Sequence, residues 1–366
     1  MAIKVLQSPA KYVQGRDELS NLCKYASSLG ESAAFAIIDQ AVLAEYAEPI
    51  QKSFEGQKMT LIVQKFNGES SRNEITRLVS ELKSTNADVI IGIGGGKTID
   101  TAKGVAYYSG MPVLIFPTIA STDAPCSALV ALYKDDGQFD DYLIIKRNPD
   151  FVLVDTEIIT KAPVRFLIAG MGDALATYFE ARSCKVSNAK TMLRGVSTNA
   201  AQAMAKLCYD ILMRDGYKAM TAAKLHQVTP AVENIVEVNT YLSGVGFESG
   251  GLAAAHAIHN GFTILEEHHN IMHGELVAYG TLAHLILENA DMEEFFTVQS
   301  FCRKVGLPIT LKELGIADPT PEKIMAVAKE ACKETDVMVN MPIDVTPEDV
   351  FSAIFVVDQL GISFDA

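Results

Sequence analysis

Five of the chain's seven histidines fall in one short stretch: His256, His259, His268, His269 and His273, with Glu266 and Glu267 among them. Imidazole nitrogens with one carboxylate are the ligands zinc favours, and a catalytic zinc keeps a coordination position open for substrate. Any one of these histidines alone would suit a solvated loop joining two helices; their clustering points to an ion. His256 ends the run Gly250-Gly251-Leu252-Ala253-Ala254-Ala255, whose small residues let another element pack closely. His273 precedes Gly274 and an apolar helical stretch, so it sits near a helix start. Two imidazoles at neighbouring helix ends can converge on one ion. Asp173, in Gly170-Met171-Gly172-Asp173-Ala174, is a carboxylate in small, apolar surroundings. Such a group pairs or binds metal, the pairing alternative here being Arg165 or Arg182.

A second constellation is Gly92-Ile93-Gly94-Gly95-Gly96-Lys97-Thr98. It follows an apolar run and leads into a helical pattern, and glycines at a helix start let backbone N–H groups approach a phosphate. It is not a P-loop, because Ile91 stands where the first glycine belongs, and Lys97 breaks the common dinucleotide fingerprint at its third glycine. Asp39, after the apolar run at 35–38, could accept bonds from an adenosine ribose or simply cap the following helix.

These groups need a frame. Short β-rich runs recur at 35–38, 61–63, 89–91, 113–116, 143–145 and 151–154, the texture of strands buried on both faces. Between the second and third, Ser71 and Glu74 form a capping-box pattern, and Ile75, Leu78, Val79 and Leu82 share one helical face. Strand, helix, strand in succession predicts a mostly parallel sheet. Beyond Pro163 the runs give way to Ala-, Leu-, Met- and Glu-rich stretches at 166–182, 191–213, 231–245 and 274–287, predicting helices. The expected architecture is an α/β domain over residues 1–162 and an all-α domain over 163–366, with 155–163 as the hinge.

Composition narrows the partners. A formal charge of -14 disfavours nucleic acid and anionic membranes. No N-terminal apolar stretch suits a signal peptide, and no run approaches the roughly 18 residues of a membrane span, so the expectation is a cytoplasmic protein. Six cysteines without a CxxC pair read as reduced thiols, leaving histidine and carboxylate as the metal ligands.

Four segments carry a family likeness: 94–103, Pro117-Thr118-Ile119-Ala120-Ser121-Thr122-Asp123-Ala124-Pro125-Cys126-Ser127, 172–177 and 241–256. Together they resemble the iron-containing alcohol dehydrogenase superfamily, in particular its zinc-dependent, glycerol-oxidising branch. The resemblance implies a dehydroquinate synthase-like fold, NAD and zinc as cofactors, and NAD-dependent conversion of glycerol to dihydroxyacetone and back. In that scheme zinc polarises the secondary hydroxyl for hydride transfer. It implies Asp173, His256 and His273 as metal ligands and Asp123 as the contact to a glycerol hydroxyl. Those four make up the catalytic group, with His256 also facing substrate. The cofactor residues it implies are Asp39, Gly94, Gly95, Gly96, Lys97, Thr98, Thr118, Ser121, Ser127, Leu129 and Tyr133. A homo-oligomer, an octamer in the family, is a further implication. Where iron-using members carry a histidine four residues after the aspartate, this chain has Thr177, which favours zinc. Other vicinal diols or simple alcohols remain open as substrates. A lyase or glycerol-phosphate oxidation would need a basic pocket, and Asp123 argues against both. A nucleotide-binding protein without chemistry is disfavoured by the complete ligand set.

Overall fold

The computed structural model describes residues 2–364, the side chains of Phe139, His268 and His269 lying outside that description. Its strands are β1 (Tyr12–Gly15), β2 (Ala33–Ile38), β3 (Thr60–Lys65), β4 (Val89–Gly94), β5 (Val113–Pro117), β6 (Leu129–Tyr133), β7 (Phe139–Ile144) and β8 (Phe151–Asp155). Six of them form a parallel sheet in the order β1-β8-β5-β4-β2-β3. The order reverses between β2 and β4, so the carboxyl ends of those two strands flank a crevice, the usual place for a ligand in such sheets.

Helices cover both faces: α1 (Leu22–Ala26), α2 (Gln40–Lys52), α3 (Arg72–Leu82), α4 (Gly96–Ser109) and α5 (Thr156–Lys161). Alternate residues of β2 explain the two layers. Phe35 and Ile37 pack with Ile75 and Leu78 of α3 and Ile99 of α4. Ala36 and Ile38 pack with Leu22, Val42, Ile50 and Ile158 on the other side. Both sets are fully buried, which is why the strand reads as an uninterrupted apolar run.

Several expectations need correction. The run at 61–63 is a strand, but an edge strand with Val63 41% exposed. Residues 143–145 do not enter the main sheet; β7 pairs antiparallel with β6 in a separate hairpin. The capping box is half made. Ser71 Oγ accepts from Glu74 N–H at 3.2 Å, but the Glu74 carboxylate accepts from Asn67 N–H at 3.0 Å and pairs with Arg77 at 2.6 Å. Within the 155–163 stretch expected as the hinge, Asp155, 2% exposed, caps α5 through Glu157 N–H at 3.0 Å and also accepts from Leu19 N–H at 3.0 Å.

From Pro163 onward the named elements are helical: α6 (Val164–Ser187), α7 (Asn199–Ala223), α8 (Pro230–Glu237), a π-turn (Val238–Leu242), α9 (Ser243–Gly250), α10 (Ala254–Phe262), α11 (His273–Leu287), α12 (Met292–Val305), α13 (Pro321–Ala331) and α14 (Pro347–Ile362). The helix expected from residue 191 begins only at Asn199, where the Thr198 hydroxyl accepts from Ala201 N–H at 3.0 Å. The preceding segment instead bridges to the N-terminus, with Val196 N–H on Ile3 O at 2.8 Å. Most of α6 is buried, so it runs through the middle of this half instead of lying on its surface. The apolar cluster under α3 and α4 continues into α6, α10 and α11, so one core joins sheet and helices. Among the described residues, no helix is long and apolar enough to cross a membrane.

Candidate functional site

Three helices meet where their side chains vanish. A Cβ on Gly172 of α6 would stand 2.2 Å from Gly274 O of α11. One on Gly280 of α11 would stand 2.4 Å from Ala255 O of α10, and one on Gly170 2.0 Å from Ala120 O in the loop after β5. Only glycine permits such approaches, and each lies within a few residues of a group with chemistry to offer.

Asp173, 1% exposed, therefore faces both imidazoles. Its Oδ1 lies 3.2 Å from His273 Nε2 and 3.5 Å from His256 Nε2. One ligand atom from each of the three residues falls within 4.8 Å of the others. The ion-pair alternative for Asp173 is not what forms: Arg165 pairs with Glu275 at 2.7 Å and Arg182 with Glu294 at 2.8 Å.

Each imidazole is held from behind. His256 Nδ1 lies 2.6 Å from Glu180 Oε2. The other oxygen of Glu180 accepts from Ala253 N–H and His256 N–H, both at 2.9 Å, capping the start of α10. Because an ionised carboxylate only accepts, Nδ1 carries a proton, and Nε2 is the atom turned toward Asp173. His273 Nδ1 meets His259 Nε2 at 3.0 Å, and His259 Nδ1 meets Asn260 Oδ1 at 3.0 Å. Asn260 in turn donates to Asp336 at 3.0 Å.

The charges settle accordingly. Burial raises the Asp173 pKa, yet His273 and His256 outweigh it and hold the carboxyl well below its ordinary range. Burial likewise opposes protonation of His256, but Glu180 and Asp173 together push its pKa well up. His259 goes the other way, driven down by burial and by the neighbouring imidazoles. Two nitrogens and one carboxylate oxygen, oriented by outer partners, fit a divalent metal.

Asp123 hangs beside this cluster on the loop after β5. Its N–H donates to Asp173 Oδ2 at 3.2 Å, and its Oδ2 accepts from Ser243 Oγ at 2.9 Å. Burial and the Asp173 carboxylate raise its pKa well above the ordinary value. Buried polar groups fix the loop that carries it. Lys103, 0% exposed, donates to Ala124 O at 2.9 Å and to Ser127 O at 3.3 Å, and pairs with Asp100 at 2.8 Å. Glu248 accepts from Ala128 N–H at 2.8 Å, and Asn239 donates to Ala120 O at 2.9 Å.

The expected cofactor residues gather at the crevice between β2 and β4, with exceptions. Asp39 caps α2 by accepting from Ala41 N–H at 2.8 Å, so the capping role is real. It also abuts the glycine turn: a Cβ on Gly94 (φ 155°) would stand 3.0 Å from Asp39 Cβ and 2.9 Å from Thr98 Cβ. No side chain caps α4, leaving the start at Gly95 and Gly96 free for an anion. Thr118 N–H donates to Gly94 O at 3.0 Å, and Ser121 is half-buried on the same loop. Lys97 is engaged by Glu69 at 2.7 Å and stands over the Tyr133 ring at 5.1 Å, with Leu129 on the same strand. Ser127 points inward: it is 1% exposed and its hydroxyl donates to Ala124 O at 3.5 Å.

No role for Glu180, Ser243, Lys103 or Glu248 follows from the sequence analysis above. Glu180 was within reach of it. Asp173, Thr177 and Glu180 stand at i, i+4 and i+7, a polar stripe along an otherwise apolar helix.

Comparison with known proteins agrees with this geometry. Residues 9–156 match the sequence pattern of the family described as iron-containing alcohol dehydrogenase. The glycerol dehydrogenase of Citrobacter freundii is 54% identical over 359 residues, 98% of each chain. The glycolaldehyde reductase of Halobacterium salinarum is 42% identical, again over 98% of each. The crystal structure of glycerol dehydrogenase from Schizosaccharomyces pombe superposes with a TM-score of 0.95 at 40% identity, covering 100% of this chain and 93% of that one. Likeness of this extent, through both the sheet and the helices that bear Asp173, His256 and His273, means that the chain belongs to the iron-containing alcohol dehydrogenase family.

Proposed function

We infer that the chain catalyses the NAD-dependent oxidation of glycerol to dihydroxyacetone and the reverse reduction. The observation that carries this reading is the meeting of Asp173, His256 and His273 beside Asp123, in a chain 54% identical to a glycerol dehydrogenase along its whole length.

In this reading Asp173, His256 and His273 hold a divalent metal, and zinc is the ion their donor set favours. Thr177 supports zinc, since the threonine hydroxyl is engaged by Ser243 at 2.9 Å and adds no fourth ligand. When bound, the metal supplies Lewis acidity toward a substrate hydroxyl and NAD supplies the hydride acceptor. The chain's own groups do the rest. Glu180 keeps the His256 ring oriented, and Asp123 accepts from a hydroxyl of the polyol and so orients the carbon that is oxidised. The uncapped start of α4 and the Gly94–Gly96 turn receive the cofactor phosphates, while Asp39 accepts from the adenosine ribose. Thr118, Ser121, Leu129 and Tyr133 complete the cleft, and Ser127 supports it from within. The proposed division is residues 1–162 for the cofactor and 163–366 for metal and substrate, supported by the end of the last strand at Asp155 and of α5 at Lys161.

The test is NADH formation from glycerol by the isolated protein before chelation, after chelation, and after zinc or ferrous ion is returned. Activity is expected to vanish with the metal and to return with zinc. Undiminished turnover by metal-free protein would defeat the reading, and restoration by iron alone would overturn the choice of zinc.

A further inference from the structure

We propose that Thr177 and Ser243 are positioning residues for substrate recognition, forming a one-way chain of hydroxyl donors that aims Asp123 at the polyol. The proposal rests on the assignment of Asp123 as the group that grips a substrate hydroxyl.

The chain is short and entirely buried at its source. Thr177 on α6 and Ser243 at the start of α9 are both 0% exposed. Thr177 Oγ1 and Ser243 Oγ lie 2.9 Å apart, and Ser243 Oγ lies 2.9 Å from Asp123 Oδ2. A carboxylate oxygen accepts, so the single Ser243 proton goes to Asp123, and Ser243 Oγ must then accept from Thr177. This is the ordering that an ionised Asp123 imposes.

Several buried helical threonines in this chain turn back on their own helix. Thr160 donates to Thr156 O at 2.5 Å, Thr240 to Val236 O at 2.7 Å and Thr281 to Val277 O at 2.9 Å. Among the described residues, Thr177 and Ser243 bond instead to each other and onward to Asp123. Packing holds them there. A Cβ on Gly246 would stand 2.6 Å from Thr177 Cγ2, so the methyl is seated tightly against α9. A Cβ on Gly244 would stand 2.8 Å from Asp123 O, so the α9 backbone lies directly on the Asp123 loop.

The result is a carboxylate with one oxygen assigned. Oδ2 is taken by Ser243, the backbone N–H is taken by Asp173, and Oδ1 is left to accept from a ligand. Thr177 is one turn from Asp173 on the same helix, so α6 sets the place of the metal ligand and of the polyol grip together. The residue that stands where iron-using relatives carry a ligand is thus given, here, to selecting a substrate with a second hydroxyl.

The test uses the metal-loaded enzyme and four variants, Ser243→Ala, Thr177→Val, Thr177→Ser and Asp123→Ala. KM and kcat are measured separately with glycerol and with propan-2-ol, a secondary alcohol with no further hydroxyl, and bound metal is quantified. Thr177→Val keeps the shape and removes only the donor, and Thr177→Ser keeps the donor. Ser243→Ala is expected to raise KM for glycerol roughly tenfold, the scale of one hydrogen bond to a charged group. Thr177→Val should shift it in the same direction and by less, and Thr177→Ser should stay near the parent. KM for propan-2-ol and metal content should hardly move. Equal shifts for both alcohols, or no shift in Ser243→Ala and Thr177→Val while Asp123→Ala raises the glycerol KM, would overturn the donor chain alone. An Asp123→Ala variant with unaltered glycerol kinetics would overturn the assignment beneath it as well.

Discussion

Gly172 and Gly274 touch backbone to backbone. A Cβ on the first would stand 2.2 Å from the carbonyl oxygen of the second, and a Cβ on Gly274 only 1.7 Å from Ala169 O. Each glycine neighbours a residue of the candidate metal cluster, Asp173 after the first and His273 before the second. The 3.2 Å between Asp173 Oδ1 and His273 Nε2 is therefore a consequence of two missing side chains.

Gly274→Ala is accordingly expected to drive α6 and α11 apart. Backbone cannot yield as a flexible side chain does, so the cost should reach or exceed the ~1–3 kcal/mol typical of overpacking. A melting temperature lowered by several degrees, with weaker metal retention, is the expected result in thermal scans and metal analysis. Unchanged values in both would mean that the close approach does not set the site.

Glu180 offers a second check. Replacing it by glutamine keeps the size but puts a neutral group on His256 Nδ1 where a carboxylate stood at 2.6 Å. Loss of such an outer partner typically costs about 10- to 100-fold in metal affinity. Chelator competition on Glu180→Gln should show a drop of that order, with kcat largely recovered at saturating zinc. A parent-like affinity would remove Glu180 from the role.

Stability toward acid should depend on Asp88, which ties the entry to β2 to the start of β4. Its Oδ2 accepts from Glu31 N–H at 2.8 Å and Ser32 N–H at 2.9 Å, and Oδ1 from Ala33 N–H at 3.4 Å. Desolvation raises its pKa, but these backbone donors outweigh it and the net shift is downward. A folded pKa below the unfolded value of about 3.9 contributes stability above that pH, lost as pH falls through the folded value. Asp88→Asn should melt earlier than the parent at neutral pH, and the gap should close in acid. A gap of constant size down to the acid limit would assign the effect to packing.

Much of this was legible in the residues themselves. The apolar runs at 35–38, 89–91, 113–116 and 151–154 are strands because both faces of the sheet are covered, and burial on both faces leaves an unbroken run. β1 escaped notice because Tyr12-Val13-Gln14-Gly15 is half-buried and mixed in polarity, so its pairing with β8 comes from the sheet and not from its own pattern. The hairpin strand at 143–145 looked like its neighbours because local composition carries no register. Among site residues, the Asp173, His256 and His273 cluster could be read from small residues flanking ionisable ones. Lys103 and Glu248 could not, since each owes its meaning to partners more than twenty residues away or on another helix. Asp39 illustrates a limit of another kind: cap and ribose acceptor use the same carboxylate at the same strand end.

The three residues of the candidate metal cluster all belong to helices after Pro163, while Asp123 hangs from the loop after β5 and accepts from Ser243. Cluster and loop therefore come from opposite sides of Pro163 yet are tied where Asp123 N–H meets Asp173. A change in the 118–127 loop would be felt at Asp173 as well as at Asp123, so a shift in what is accepted would have to be tuned together with the cluster.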